Sequence, residues 1–498
     1  MQTLKIRNNQ SVSFSEIPEM DYMSFFALNT GLVEGTQERH CVNYFGIRES
    51  ETIRLICCIA DDAEQIIHLT SCCVNQEETL ASFSARLFCF EKFEREIHEN
   101  FGIKYSDHPW LKPVRYPFDR ADKSQTIANY PFYSIESEEL HEVGVGPIHA
   151  GIIEPGHFRF ICNGEQILHL EIQLGYQHRG IEKKFLKPHK LSQLATLAEN
   201  IAGDTVVGHS IAFAQIWESL CGFETTRNME ISRLVSLELE RIAIHTGDLS
   251  AACTDIAYQL GSSVFGRLRT PIVNFMQEWC GNRLSKGLIR PGQDRFPFTR
   301  ELADRLSEIL DIFEPDFTEM NKQLFSLPSA LSRFERTGVL SVADASSIGV
   351  VGMAARTSGV SRDIRSSHPT GLYIEIRHEP IVKHHGDVYS RVQLRKNEVI
   401  QSIAYLRKLI AEHSADLRCK ELKSPGSGLF SLALVEGWRG EICHCAITGP
   451  KGELSHYKIK DPSFHNWLAL ALSVRNNEIS DFPICNKSFN LSYCGHDL

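Results

Sequence analysis

The sequence predicts an α+β fold, in which a small N-terminal α/β domain precedes a mainly helical domain with β elements. Three observations support this prediction. Short apolar runs typical of strands crowd the first part of the chain, a polar segment marked by prolines follows, and helical periodicity dominates the rest. We therefore expect a domain at residues 1–120, a linker at 121–142 and a second domain at 143–498.

The elements of the first domain follow from its apolar patterns. Residues 42–47, 52–56 and 66–71 are rich in Val, Ile, Leu and aromatic residues, which is typical of strands in a meander. The next segment predicts a short amphipathic helix that Gly102 ends. Taken alone, the charged residues of this helix would form a solvated face.

The predicted linker belongs to a stretch with three prolines, Pro113, Pro117 and Pro131, separated by charged residues. Such composition is typical of a segment that crosses a surface. Beyond it, residues 158–161 and 167–174 predict two further strands.

A long helix is predicted at residues 230–245, with Asn228 as its N-cap. Glu238 and His245 share one stripe with apolar residues, so both should be buried and paired. A structural pair that locks two helices is the ordinary interpretation, and a proton relay is the alternative.

Composition narrows the classes of function. Hydrophobic residues make up 42% and charged residues 23% of the 498 residues, as in a globular protein. No stretch reaches the roughly 18 consecutive apolar residues of a membrane span, and the start lacks the apolar region of a signal peptide. We therefore expect no direct membrane span. The net charge of −10 without a long basic run disfavours nucleic acid as a partner.

The 15 cysteines do not form the pattern of a disulfide framework or of an iron–sulfur site, because no Cys-x-x-Cys occurs. We expect reduced thiols and a cytoplasmic location. Cys443, His444 and Cys445 are a poor chelate, since alternation along a strand would point the histidine away from both cysteines.

Three motifs carry a resemblance to a known family. They occupy residues 146–151 (GPIHAG), 154–159 (EPGHFR) and 175–183 (GYQHRGIEK), and residues 351–369, 386–391, 435–441 and 461–464 extend the match. Their order and spacing resemble the large subunit of energy-converting, membrane-bound nickel–iron hydrogenases and the 49-kDa large subunit of respiratory complex I. Residues 93–111 resemble the complex I 30-kDa subunit, so the chain resembles a fusion of the two.

The resemblance also shows what is missing. The hydrogenases hold nickel and iron with two Cys-x-x-Cys pairs, which here fall at Ala202 and Thr205 and at Ser492 and Gly495. A nickel–iron centre needs thiolates, and none of these residues supplies one. We therefore expect no metal at these four positions, which we call the vacated positions. The chain also lacks the clipped tail that follows the last motif in such hydrogenases, which agrees with this expectation.

The resemblance implies candidate site residues. Glu182 falls at the proton-carrying glutamate of the relatives, and we expect burial to raise its pKa. His157 is the candidate for the quinone-site histidine of complex I, with His149 less well placed, whereas the quinone-site tyrosine falls at or near Gly203. Asp204 and His209 are expected to handle protons. His178 and Arg179 complete the cluster around Glu182, although Arg179 and Glu182 could instead form a surface ion pair.

A further segment, residues 351–369, places three arginines and one aspartate within ten residues. Arg356 and Asp363 are expected to line the floor of the cavity and to brace a partner interface, because guanidinium groups bind carboxylates or polar head groups in bidentate fashion. The alternative is a solvated loop with surface ion pairs.

The resemblance implies an oxidoreductase subunit similar to those of NADH:quinone oxidoreductase or formate hydrogenlyase. Electrons would pass from a [4Fe–4S] cluster in a small iron–sulfur partner subunit to a quinone or another small acceptor, coupled to ion translocation by antiporter-like membrane subunits. The chain would lie at the inner face of the membrane through these partners and would firmly bind no cofactor itself. A non-catalytic scaffold and an atypical hydrogenase are the alternatives.

Overall fold

The computed structural model describes residues 2–149, 153–412 and 421–498. Ala150 and Gly151, at the end of the first motif, lie outside the described residues. The mixed α and β content, with a sheet in the N-terminal part and a helical remainder, confirms the α+β prediction. The predicted division at residues 121–142 stays a prediction.

The N-terminal part is built on one sheet with the order β1-β6-β5-β4, and β3 pairs with β6 in parallel. The predicted strands are confirmed and extend further than their apolar runs. The strands are β1 (Leu4–Ile6), β3 (Glu19–Met20), β4 (Arg39–Glu49), β5 (Thr52–Asp61) and β6 (Ile66–Asn75). β2 (Ser11–Ser13) lies outside this sheet, and β7 (Thr79–Ala81) pairs with β8 (Lys104–Ser106).

Two helices pack against this sheet. In α1 (Tyr22–Val33), the carboxylate of Asp21 caps the first turn by accepting from the amide of Ser24. α2 (Glu91–Phe101) ends at Gly102, whose φ of 78° suits glycine, as predicted. Most of the charged side chains of α2 are buried, so the interpretation of a solvated helix face is wrong. They instead hold the following chain, because amides of Val114, Arg115 and Tyr116 donate to Glu99.

The second part contains two antiparallel sheets. Strands β9 (His141–Val145), β10 (His157–Asn163) and β11 (Gln166–Gln173) form the first in the order β11-β10-β9. Strands β12 (Leu429–Glu436), β13 (Glu441–Thr448) and β14 (Leu454–Lys460) form the second in the order β14-β13-β12, and β2 from the N-terminus completes its edge. The second sheet packs face to face on the N-terminal sheet, so the two parts share a core.

Helices fill the rest of the second part. The long helices α6 (Arg227–Asp255), α7 (Gln259–Cys280), α8 (Arg300–Leu324) and α14 (Val388–Glu412) form its main core. The shorter helices that precede them are α3 (Ile181–Phe185), α4 (Leu191–Ala198) and α5 (Val206–Leu220). Those that follow α8 are α9 (Pro328–Phe334), α10 (Val342–Ser347), α11 (Gly352–Thr357), α12 (Ile364–Ser367), α13 (Tyr373–Ile376), α15 (Ser463–Ser473), α16 (Phe482–Phe489) and α17 (Tyr493–Asp497).

The start of α6 corrects one prediction. Thr226, not Asn228, is the N-cap, because its backbone is extended and its hydroxyl accepts from the amide of Met229 at 3.3 Å. Asn228 already lies inside the first turn.

Within residues 2–149, 153–412 and 421–498, no helix combines the length and the apolar character that crossing a bilayer requires.

Candidate functional site

Folding brings the two pairs of vacated positions together. Ala202 and Thr205 lie in the loop before α5, residues 200–205, which we call the front loop. Ser492 is the N-cap of α17, where its hydroxyl accepts from the amide of Gly495 at 2.9 Å. We call residues 490–498 the tail. Arg179 joins the two segments, because its Nη2 donates to the carbonyl oxygens of Ile201 at 2.8 Å and of Cys494 at 3.0 Å.

A second guanidinium group, that of Arg439, lies at the vacated positions themselves. Its Nη1 and Nη2 donate to the two carboxylate oxygens of Asp204, both at 2.6 Å, and Nη1 also donates to the hydroxyl of Thr205 at 3.1 Å. Its Nε donates to the carbonyl oxygen of Asn490 in the tail at 2.5 Å. The guanidinium stacks on the ring of Trp438, with 4.0 Å from its central carbon to the ring centroid. A buried cation therefore links the front loop to the tail.

The vacated positions do not fit a nickel–iron centre. A methyl group, two hydroxyl groups and a hydrogen atom offer no thiolate, which such a centre requires. A Cβ atom added at Gly495 would lie 2.7 Å from Oδ2 of Asp461, so a carboxylate fills the space of the fourth cysteine side chain. The positive charge of Arg439 lies beside the second position. We therefore derive no step through a bimetallic centre.

Asp461 is the end of a fully buried chain of hydrogen bonds. Its Oδ2 lies 3.0 Å from Nε2 of His209, and Nδ1 of His209 lies 3.0 Å from Nε2 of His444. Nδ1 of His444 lies 2.8 Å from the hydroxyl of Tyr457. Because an ionised carboxylate only accepts, His209 donates to Asp461, His444 donates to His209, and Tyr457 donates to His444.

The charges of this chain of hydrogen bonds are set by burial. Burial opposes ionisation of Asp461, but the hydrogen bond and the charge of His209 outweigh it, so the pKa of Asp461 is lowered. Burial, helped by His209, holds the pKa of His444 well below the ordinary value. His444 is therefore neutral, and protons can be held or exchanged at the Asp461–His209 end.

Glu240 lies below the front loop, at the first turn of α5. Its carboxyl oxygens accept from the amides of Val207 at 2.7 Å and of Gly208 at 3.3 Å. Burial raises the pKa of Glu240 to about 8, despite these hydrogen bonds, and the nearby charge of Asp204 adds to the rise. Glu240 can therefore exchange a proton near neutral pH.

Glu182 lies outside this set. Its Oε1 accepts from the amide of Ile459 at 2.9 Å and lies 3.0 Å from Nζ of Lys458, at the edge of a cleft of about 300 Å³ between α2, α3 and β14. Burial would raise its pKa, but Lys458 and Arg115 outweigh burial, so the pKa is lowered. The expected rise is wrong, because a lysine neutralises the carboxylate. Arg179 does not pair with Glu182 but binds backbone carbonyl groups, so the surface ion pair is also wrong.

The two histidines near Glu182 and at β10 hold backbone groups. His178 Nδ1 donates to the carbonyl oxygen of Asp497 at 2.7 Å, which fixes the tail. His157 Nδ1 donates to the carbonyl oxygen of Gly146 and His149 Nε2 to that of Gly156, both at 2.9 Å. The contacts of His157 lie in the loop before β10 rather than among Asp204, His209 and Arg439, so its role at a ligand stays a prediction.

Arg356 and Asp363 belong to a buried ionic network. Arg356 contacts Asp363 at 3.1 Å, Glu436 at 2.7 Å and Glu398 at 2.6 Å, and none of these groups reaches solvent. Burial would raise the pKa of Asp363, but Arg365 and Arg356 outweigh it and hold the pKa well below the ordinary value. The segment is therefore neither a solvated loop nor a cavity floor, because its charges are paired inside the chain. Cofactor binding by Arg356 or Asp363 stays a prediction without a contact to support it.

The same network settles the pairing of Glu238 and His245. Both are buried, as expected, yet each has its own partners. Glu238 accepts from Ser402 and Tyr373 and faces Arg241 at 3.3 Å, whereas Nε2 of His245 donates to Glu398 at 2.7 Å. Glu398 and Ser402 lie on α14, so these contacts lock α6 to α14. The contacts favour the structural interpretation over a proton relay.

Sequence reasoning missed Arg439, Asp461, His444 and Glu240. Arg439 and Asp461 stand in motifs that supported the resemblance, and the buried setting of those motifs was the available signal. For His444 the strand alternation was read correctly. Both neighbouring thiols face Asn43 of the N-terminal sheet, while His444 points to His209.

Comparisons with known proteins agree with these motifs. Residues 258–425 match the model of a family described as the 49 Kd subunit of respiratory-chain NADH dehydrogenase. Hydrogenase-4 component G of Escherichia coli is 26% identical over 417 residues, which is 80% of this chain and 72% of that protein. One of the NADH-quinone oxidoreductase proteins of Phocaeicola vulgatus is 26% identical over 385 residues, which is 70% of this chain and 73% of that protein.

A solved structure shares the fold. It belongs to the membrane-bound sulfane sulfur reductase, an archaeal respiratory membrane complex, and it is 20% identical in sequence with a TM-score of 0.67. The match covers 74% of this chain and 100% of that chain.

Proposed function

Because this chain belongs to the family that joins the 49-kDa subunit of complex I with the large subunits of energy-converting hydrogenases, we propose that it passes electrons to a small acceptor in a membrane-associated complex. At the coarser level, it is an oxidoreductase subunit of a complex I-like or hydrogenase-related type. The electrons would come from a [4Fe–4S] cluster in a small iron–sulfur partner subunit. Antiporter-like membrane subunits would attach the chain to the inner face of the membrane.

The observation that carries the proposal is the contact of Arg439 with Asp204 at the vacated positions. Asp204 is 37% exposed, whereas Arg439 is buried, so the pair offers a hydrogen-bonding edge to a ligand at the surface. Asp461 adds to the negative charge around this guanidinium. Donors fixed in a buried setting stabilise charge that develops on a ligand oxygen.

A quinone fits this chemistry because its reduction takes up two electrons and two protons at its carbonyl oxygens. Arg439 would donate to one carbonyl oxygen, and Asp204 would deliver a proton from the exposed side. The buried Asp461–His209 pair would hold a second proton. Electrons reach the quinone from the partner subunit, so this chain needs no metal of its own for the step.

The test is electron flow to a soluble quinone in the purified complex. Asp204→Asn and His209→Gln are expected to lower turnover at least about tenfold, as loss of one acid–base group does. Asp311→Asn, on the exposed face of α8, is the matched control and leaves turnover unchanged. Assembly is checked by the subunit ratio of each purified variant.

The second candidate is a scaffold that transmits conformational change to the membrane arm without a substrate. The buried network that locks α6 to α14 favours it, because a rigid core carries displacement. Electron flow that is indifferent to both variants would support the scaffold and contradict the quinone proposal. An atypical hydrogenase would require stoichiometric nickel in the purified chain, which elemental analysis measures.

A further inference from the structure

A second cavity, of about 320 Å³, lies between the N-terminal part and the helical part of the molecule. We call it the interdomain cavity. Its walls come from the loop after α1, the start of β4, the residues before α2 and the segments that flank α11. It is separate from the front loop and the tail, and no step of the proposed electron transfer uses it.

The wall of the interdomain cavity is cationic. Arg39, Arg86 and Arg362 line it from three different segments together with His40, and no aspartate or glutamate is among the described residues that line it. Three guanidinium groups around one cavity are unusual in a chain with a net charge of −10. This distribution predicts a negatively charged occupant.

Carboxylates outside the wall orient the three arginines. Nε of Arg39 donates to Asp61 at 2.6 Å, and Nε of Arg362 donates to Asp62 at 2.8 Å. Arg86 binds both carboxylate oxygens of Glu34. Within the described part of the chain, the two terminal nitrogens of Arg39 and Nη1 of Arg362 have no hydrogen-bond partner. The side chains are therefore held in position while donor groups stay available.

His40 supplies a further group without a partner. Its side chain is buried, with 7% of the residue exposed, and its Nε2 donates to Glu441 at 2.6 Å. Its Nδ1 is buried without a hydrogen-bond partner among the described residues, and the nearest carboxylate oxygen, on Asp62, is 3.7 Å away. A buried polar atom of this kind costs free energy unless a ligand or water satisfies it.

The remaining wall is apolar and includes Val33, Leu87, Phe88 and Val360. The volume lies in the range of small-molecule sites, which combine apolar walls with a few oriented polar groups. Guanidinium groups bind phosphate in bidentate fashion more readily than other cations do. We propose that the interdomain cavity binds a small organic molecule that carries a phosphate group, of the nucleotide class.

The test is calorimetric titration of the full chain with ADP and with inorganic pyrophosphate, and with citrate as a phosphate-free anion. Saturable binding of ADP is expected. Arg39→Gln should weaken it about tenfold or more, the usual cost of losing a charge-assisted hydrogen bond. Arg407→Gln is the matched control, because Arg407 also binds two carboxylates and its side chain is 36% exposed against 37% for Arg39.

Alkylation of cysteines locates the ligand independently. Cys89 lines the interdomain cavity and is half-buried, as are Cys73 and Cys494 elsewhere. ADP is expected to slow alkylation of Cys89 and to leave the other two unchanged, as peptide mass spectrometry can show. Absence of saturable binding by ADP and pyrophosphate would overturn the proposal. So would equal affinity for citrate, unchanged affinity in Arg39→Gln, or an unprotected Cys89.

Discussion

At the scale of single residues, Gly495 is the position where the loss of a metal ligand coincides with a packing requirement. The carboxylate of Asp461 occupies the space that any side chain at residue 495 would need. Gly203 in the front loop is different, because nothing lies within 4 Å of the Cβ atom that a substitution would add there. The two glycines therefore form a natural pair for comparison.

Gly495→Ala is expected to lower the free energy of unfolding by about 1–3 kcal/mol, since the added methyl group must displace a buried and hydrogen-bonded carboxylate. Urea unfolding followed by circular dichroism measures the change. Gly203→Ala is the control and should change the free energy by less than about 0.5 kcal/mol. Equal effects of the two substitutions would contradict this explanation.

Glu240 predicts a pH dependence of stability. Its pKa is raised from 4.5 to about 8 in the folded chain, so the folded state prefers the protonated form. This contribution is fully present below pH 4.5 and is lost as the pH rises towards 8, by about 1.4 kcal/mol per pH unit. Unfolding at pH 6 and pH 8 should therefore show a smaller decline in Glu240→Gln, which carries no titrating group there.

The control for Glu240 is Glu308→Gln, because Glu308 lies on the exposed face of α8. That variant should decline with pH as the unmodified chain does. If Glu240→Gln declined with the same slope, Glu240 would not be the group that titrates.

The residues of the site show how far sequence reasoning reaches. Ala202, Thr205, Ser492 and Gly495 were found because a motif of fixed spacing framed them. Arg439 and Asp461 were seen but given no role, since their contacts join residues more than 200 positions apart. The direction of the pKa shift of Glu182 was predicted wrongly for the same reason, because Lys458 is remote in sequence.

At the scale of elements, the joint between α6 and α14 depends on one buried carboxylate, Glu398. It contacts Arg356 at 2.6 Å, His245 at 2.7 Å and Arg365 at 3.1 Å. Burial would raise the pKa of Glu398, but Arg356 and Arg241 outweigh it and hold the pKa well below the ordinary value. The carboxylate is therefore ionised, and the cations around it depend on its charge.

Glu398→Gln is expected to lower the free energy of unfolding by about 3–5 kcal/mol, because it leaves buried cations without their counter-charge. Glu314→Gln breaks an ion pair with Arg407 whose glutamate is 41% exposed, and should cost less than about 1 kcal/mol. Thermal unfolding of both variants measures the difference. A loss below about 1 kcal/mol for Glu398→Gln would show that the network contributes little.

The elements themselves differ in how well the sequence predicts them. β4, β5 and β6 were predicted because long apolar runs specify strands that are buried on both faces. β2 was missed, since Ser11 and Ser13 form a strand only by pairing with β12. The N-cap of α6 was misplaced by two residues because both Thr226 and Asn228 can cap a helix.

At the scale of the whole molecule, the two sheets that pack face to face make the N-terminal part structurally necessary. β2 pairs with β12, and Phe430, Leu432 and Leu434 of β12 contact the N-terminal sheet. Removing the N-terminal part would expose this apolar face and the edge of β12. The fused arrangement that the sequence predicts thus has a physical basis in a shared core.

Residues 143–498 expressed alone are expected to aggregate, whereas co-expression with residues 1–142 should restore a soluble complex of the two pieces. Size-exclusion chromatography and circular dichroism measure the outcome. A monomeric 143–498 fragment with the unfolding midpoint of the full chain would contradict this prediction.

The position of Arg439 has a consequence for biogenesis. A centre whose positive charge is encoded in the chain is complete as soon as translation and folding finish, without an insertion step or dedicated maturation proteins. We expect cells grown with and without added nickel to yield the same amount of assembled complex.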